Sequence, residues 1–164
     1  MPTRRATEII TIENATLLYR NFAGEEGQYN RAGDRNFCVI LPEDVAEMMA
    51  RDGYNIKRRK PRDNDSDDEA GAIGDPYVQV KVSYKGRAPE IYLIGSKTRR
   101  RNMLDEGLVP LLDTVEIAEC DLRFSPYNWT VRGDSGVTAY LRKMYLTQFE
   151  DDLDLKYADV LPAD

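Results

Sequence analysis

Short runs of alternating hydrophobic and polar positions divide this chain into strand-like segments, with one helical exception. The clearest run is Tyr77–Tyr84, where Val78, Val80 and Val82 face one way and Gln79, Lys81 and Ser83 the other. Glu8–Ile12 and Ala15–Phe22 are β-branched or aromatic and read as one long bent strand or two short ones, interrupted near Asn14. Ala23–Asp34 carries Gly24, Gly27 and Gly33 among polar neighbours, a loop closing a hairpin onto Arg35–Leu41. Within that second strand, Phe37–Leu41 has the composition of a segment buried on both faces. Pro42 then opens a helix with Val45, Met48 and Met49 on one face, acids at its start, Arg51 near its end and Gly53 as the stop.

Tyr54–Arg59 reads as a short strand or edge. Lys85–Pro89 turns the chain and Glu90–Ile94 returns it, so Tyr77–Ile94 is expected to be a hairpin. Leu104–Leu112 holds a short helical turn broken by Gly107 and Pro110. Val115–Phe124 and Val137–Phe149 are the last strands, joined through Pro126, the Tyr127–Val131 segment and the turn Arg132–Gly136. Six or seven strands with one clear helix point to a mainly β fold, an OB-like small β-barrel; a twisted sheet capped by the helix is the competing architecture.

The 164 residues suffice for one domain. No apolar run approaches bilayer length, and the first residues lack the apolar segment of a secretory signal, so the expectation is a cytoplasmic protein without a membrane. Cys38 and Cys120 fit neither a disulfide framework nor a four-thiolate zinc site. The absence of histidine removes Ser-His and Cys-His nucleophile pairs and every His-bearing metal motif. Composition therefore favours a binding protein over an enzyme, with no cofactor.

Net charge is −6, which taken alone argues against nucleic acid. Its distribution argues otherwise. Residues 63–76 hold six acids and no base, and residues 150–164 hold six acids and one base, leaving the rest of the chain at +5. The expected organisation is a nucleic-acid-binding domain over 1–149, containing a mobile acidic loop at 63–76, followed by an acidic tail at 150–164.

On the predicted strands and loops, cations interleave with aromatic residues: Arg20 and Phe22; Arg35; Lys81 and Tyr84; Lys97, Arg99, Arg100 and Arg101; Tyr127 and Trp129; Tyr140 and Arg142. Single-stranded nucleic acid is bound by this mixture, because cations track phosphates while flat rings stack on bases of any identity. The same residues also suit a plainer arrangement of core aromatics and solvated cations. Asp63, Asp65 and Asp67 imitate the start of a calcium loop, but Asp68 replaces its glycine and Gly74 its final glutamate. Arg132-Gly133-Asp134 matches an adhesion tripeptide and is accounted for by a hairpin turn.

Arg20-Asn-Phe, Arg35-Asn-Phe, Gly53-Tyr-Asn-Ile-Lys57, Tyr77–Tyr84, Pro126-Tyr-Asn-Trp129 and Gly136-Val-Thr-Ala-Tyr-Leu141 together resemble phage-encoded single-stranded DNA-binding proteins of the podovirus type. That resemblance implies a modified OB-fold with an acidic C-terminal tail, a role in phage replication and recombination, and frequent dimerisation. It further implies a groove containing Tyr127, Trp129, Tyr140 and Arg142, with Asp151, Asp152 and Asp154 in a regulatory tail that contacts replication or recombination proteins. In a phage setting the compartment is the host cytoplasm. Two rival readings rest on the acidic segments: a protein-interaction module that mimics DNA, and a carboxylate-metal nuclease built on 63–76.

Overall fold

A computed structural model describes residues 6–60 and 74–157. Nine strands form a single sheet: β1 (Ile10–Ile12), β2 (Leu17–Asn21), β3 (Arg35–Ile40), β4 (Lys57–Arg58), β5 (Pro76–Val82), β6 (Glu90–Gly95), β7 (Arg101–Leu104), β8 (Ile117–Val131) and β9 (Asp134–Gln148). Helix α1 (Glu43–Asp52) follows β3, a 3-10 turn spans Val109–Asp113, and a short helix α2 (Asp152–Lys156) follows β9. The main path of the sheet runs β1-β8-β9-β5-β3-β2, with β4 on β5 and the β6–β7 pair on β9. The mainly β, OB-like expectation holds, as a sheet that wraps its core without closing into a barrel: no ladder joins β2 to β1 among the described residues.

Asn14, at φ 51, separates β1 from β2, so the interrupted first segment is two strands. Helix α1 ends at Gly53, whose φ of 106 is the left-handed geometry that glycine adopts without strain. One core unites Phe22, Phe37, Val39, Val80, Phe124 and Leu146 with the inward faces of the other strands. Both thiols are buried; burial pushes Cys38 up to about 11 and Cys120 up to about 12, so neither is a reactive thiolate.

Two connections differ from the sequence reading. β5 and β6 are not hairpin partners: each pairs in parallel with β9, β5 through Val80 and Lys81 opposite Ala139 and Tyr140, and β6 through Glu90–Gly95 opposite residues 143–148. The segment after β5 thus carries the chain along the edge of β9 instead of reversing it. Tyr127–Val131 is likewise no connector. β8 runs through Pro126 to Val131 and pairs with β9 down to a two-residue turn at Arg132 and Gly133, both at positive φ. Pro126 is tolerated because β1 ends at the Ile10–Phe124 pair, leaving β8 an edge strand beyond it.

β9 contains an extra residue. Arg123 pairs with Lys143 and Phe124 with Leu141, so Arg142 is a bulge. Val137, Ala139 and Leu141 are buried before it, Met144 and Leu146 after it. The one-residue slip lets both halves of a 15-residue strand face the same core.

Candidate nucleic-acid interface

Strand alternation that buries Val78, Val80 and Val82 turns Tyr77, Gln79 and Lys81 outward. Register carries this outer face across the sheet. Lys81 lies opposite Tyr140 on one side and Asn36 on the other, while Lys57 pairs with Tyr77. On the hairpin, Trp129 pairs with Gly136, Tyr127 with Thr138 and Ser125 with Tyr140. A cleft of about 730 Å³ lies over this face, lined by Tyr19, Lys57, Tyr77, Gln79, Lys81 and Trp129 among others. A second, of about 500 Å³, adjoins it through Asn36, Gln79 and Lys81 and reaches Arg35, Tyr84 and Tyr140.

Trp129 is held on the surface by its cross-strand neighbour. A Cβ added at Gly136 would stand 2.6 Å from the indole Cζ2, so the ring lies against bare backbone that only glycine supplies. Half-buried, Trp129 lines the cleft and is not among the residues of the buried core. Tyr127 and Tyr140 meet edge to face at 6.0 Å between centroids, and Tyr19 meets Tyr77 similarly at 5.8 Å.

Four sequence candidates have other occupations. Phe22 is fully buried and stacked on Phe37 at 5.1 Å, with no face left for a base. Arg20 donates through Nη1 to the Leu112 and Val115 carbonyls, 2.8 Å each, tying β2 to the 3-10 turn. Arg35 donates to the Phe22 carbonyl at 2.7 Å and faces Glu106 at 3.6 Å. Arg142 donates to Ser125 Oγ at 2.8 Å and to the Arg87 carbonyl at 3.1 Å, bracing the bulge. All three arginines are partly buried, and the donors they spend on these contacts are withdrawn from phosphates. Tyr84 lines the second cleft with its ring, but its hydroxyl is buried without a hydrogen-bond partner among the described residues, and burial raises its pKa.

Lys97, Arg99 and Arg100 lie in the β6–β7 turn and Arg101 opens β7, beside the far end of β9 with which β6 pairs. Twelve residues of β9 separate Gly136 from Gln148, about 40 Å at strand rise, so this turn does not share the Trp129 cleft. Arg101 lies over the Tyr92 ring at 4.9 Å, and Tyr92 stacks on Tyr145 at 4.9 Å. The root of the C-terminal tail sits on the same turn. Glu150 accepts from the Lys97 and Thr98 amides at 3.0 Å each and from Thr98 Oγ1 at 3.1 Å. Asp152 pairs with Lys97 Nζ at 2.9 Å. The Thr98 amide, with further donors from the turn, holds the Glu150 carboxyl below the usual range. Hydrogen bonding to Lys97 does the same for Asp152, and the reciprocal bond raises Lys97. Arg99 and Arg100 are exposed. Asp151 precedes α2 and Asp154 lies on it.

Sequence reasoning did not select Tyr19, Lys57 or Tyr77 as binding residues. Tyr77 has the parity of Gln79 and Lys81, a signal present in the alternation. Tyr19 reaches the cleft at φ 51, beside an irregularity between Leu18 and Asn21 that no periodicity reveals. The calcium-like and nuclease residues Asp63, Asp65, Asp67 and Asp68 lie outside the described residues. Among the described ones, no group of three or more carboxylates and thiols is placed to hold a metal, and no helix is long and apolar enough to cross a membrane.

Comparison with known proteins agrees with this architecture. The single-stranded DNA-binding protein of bacteriophage Enc34, in complex with ssDNA, superimposes with a TM-score of 0.56 at 11% identity, over 87% of this chain and 88% of that one. A C-terminally truncated form of the Enc34 protein gives 0.52 at 12% identity, over 87% of both chains. At such identities the likeness is one of fold. A search of curated proteins gave no match. A family described as "Putative phage ssDNA-binding domain" matches residues 2–164, nearly the whole chain. The chain belongs to that phage ssDNA-binding domain family.

Proposed function

We propose that this chain binds single-stranded DNA without sequence preference during phage replication and recombination, in the host cytoplasm, and does no chemistry on it. The observation that carries this reading is the outward face uniting Trp129, Tyr77, Lys81 and Lys57 over one cleft, with Tyr140 in the cleft that adjoins it, in a chain of the phage ssDNA-binding family. Rings stack on bases, lysines follow the phosphates, and the extended strand is kept from re-forming a duplex. Residues 1–149 act as the binding domain and 150–164 as a regulatory tail whose acids compete for cations and dock replication or recombination proteins. A homodimer is part of the same proposal.

Titrating the protein into fluorescent oligonucleotides at several salt concentrations tests it. Tight single-strand binding with quenched Trp129 fluorescence and a steep salt dependence is expected. Silence toward oligonucleotides together with blockade of a DNA-binding partner would favour the mimic, and magnesium-dependent cleavage the nuclease.

A further inference from the structure

The loop between β2 and β3 was expected only to close a hairpin. In the structure it is a braced platform. Asn21 accepts from the Glu25 amide at 2.9 Å and donates to the Glu25 carbonyl at 3.1 Å. Gly24, at φ 69, lets the loop cross itself; a Cβ there would stand 3.0 Å from the Gly33 backbone. Gly27 and Asn30 exchange backbone hydrogen bonds of 2.9 and 3.2 Å, leaving Gln28 and Tyr29 at the tip of a tight turn. The Asn30 amide donates to the Glu25 and Asp34 carbonyls at 2.8 and 3.0 Å, and its Oδ1 accepts from Asn36 Nδ2 at 2.8 Å. Asn36 is on the cleft floor beside Lys81.

On this fixed turn stands Tyr29, 93% exposed and lining both clefts. Four other cleft rings have a face or edge occupied, Trp129 by Gly136, Tyr140 by Tyr127, and Tyr19 and Tyr77 by each other. Tyr29 has no ring or hydrogen-bond contact among the described residues. Ordering the thirteen residues between β2 and β3 around a ring that contributes nothing to the core makes sense if the ring is kept for something that arrives later. By sheet order, the loop rises on the β3–β2 side of the floor and Trp129 on the β8–β9 side.

We propose that Tyr29 is a preset stacking residue for a nucleobase, facing Trp129 across the Asn36–Gln79–Lys81 floor, and that Asn30 is the residue that positions it. The proposal rests on the single-stranded DNA reading, and its test separates the two. The full chain is titrated with a fluorescein-labelled deoxythymidine oligonucleotide and with a strand of equal length made of abasic sites. Tyr29→Ala is expected to weaken oligo-dT binding about 10-fold, the scale of one lost stacked base. The slope of log K against log salt stays unchanged, since no charge is removed. Tyr29→Phe stays within about 2-fold of wild type because the ring is retained, and Asn30→Ala weakens oligo-dT binding with Tyr29 still present. Neither alanine variant alters binding to the abasic strand. Equal oligo-dT affinities of wild type and Tyr29→Ala would overturn the stacking role and leave DNA binding standing, as would equal losses on both strands. A wild-type chain that ignores oligo-dT altogether would overturn the functional reading first.

Discussion

The two ends of the β8–β9 hairpin divide the work that the sequence seemed to assign to one place. At the turn end, Trp129 lies over Gly136 beside a cleft with several rings but few cations, chiefly Lys57 and Lys81. At the other end, four cations crowd residues 97–101, yet Lys97 is paired with Asp152, the turn is capped by Glu150, and Arg101 lies on Tyr92. The densest run of positive charge is therefore the one the chain partly neutralises itself, while the sparse lysines of the cleft stand beside open stacking surface. Cation density along a sequence and availability to a phosphate are different quantities.

Trp129→Ala should break the comparison most sharply. Losing one stacking surface is expected to weaken single-strand binding about 10- to 100-fold, with the thermal midpoint nearly unchanged because the indole is outside the core. Unchanged affinity in a folded variant would move the site away from the cleft. Gly136→Ala tests the same ring without touching it: the new methyl displaces the indole, and affinity should fall with Trp129 still in the chain. Lys81→Gln comes next, lowering the slope of log K against log salt by about 0.7, the share of one phosphate on a single strand.

At the other end, replacing Arg99, Arg100 and Arg101 by Ala should lower that slope by up to about 2, and more visibly after the tail is removed. The cut belongs after Glu150, not before it, because that carboxylate caps the β6–β7 turn. Deleting residues 151–164 should tighten binding at low salt, with a gain that shrinks as salt rises. Weaker binding at every salt concentration would mean that the tail supports the fold.

The smallest effect is in the pH dependence of the clasp. Glu150 and Asp152 have carboxyls depressed in the folded chain, so their contribution is complete above the ordinary carboxylate values and is lost as pH falls through the depressed ones. Lys97 is raised, so its contribution is complete below its ordinary value and is lost as pH rises through the raised one. Amide shifts of Lys97 and Thr98 should thus stay flat from about pH 5 to 9 and change only outside that window. A midpoint near neutrality would contradict the clasp.

Much of the fold was legible because single strands obey local alternation: β5 and α1 emerged nearly at their observed limits, and Gly53 stopped the helix as expected. The parallel pairing of β5 and β6 to β9 was not legible, since two strands joined by a short polar segment carry the same local pattern whether they fold back or step sideways. The two adjoining clefts were half legible. Trp129, Tyr140 and Lys81 were found by residue type, but Arg20, Arg35 and Arg142 have the same type and brace backbone carbonyls instead. Which use an arginine serves depends on carbonyls roughly 13 to 95 positions away, and no window of sequence contains them.

Arg142 shifts the reading frame of β9. Removing that one residue would put Leu141 and Met144 on the ordinary two-residue spacing, so both halves of the strand would keep the same face toward the core. What would go is the bulge itself, with the local bend and extra twist it gives the hairpin beside Tyr140. A point substitution at 142 loses the bonds to Ser125 and Arg87 but keeps the bend, whereas deletion of its codon straightens the strand. This hairpin can therefore shorten by one residue at the bulge and keep its faces, whereas a residue lost inside either alternating half would turn part of that half away from the core.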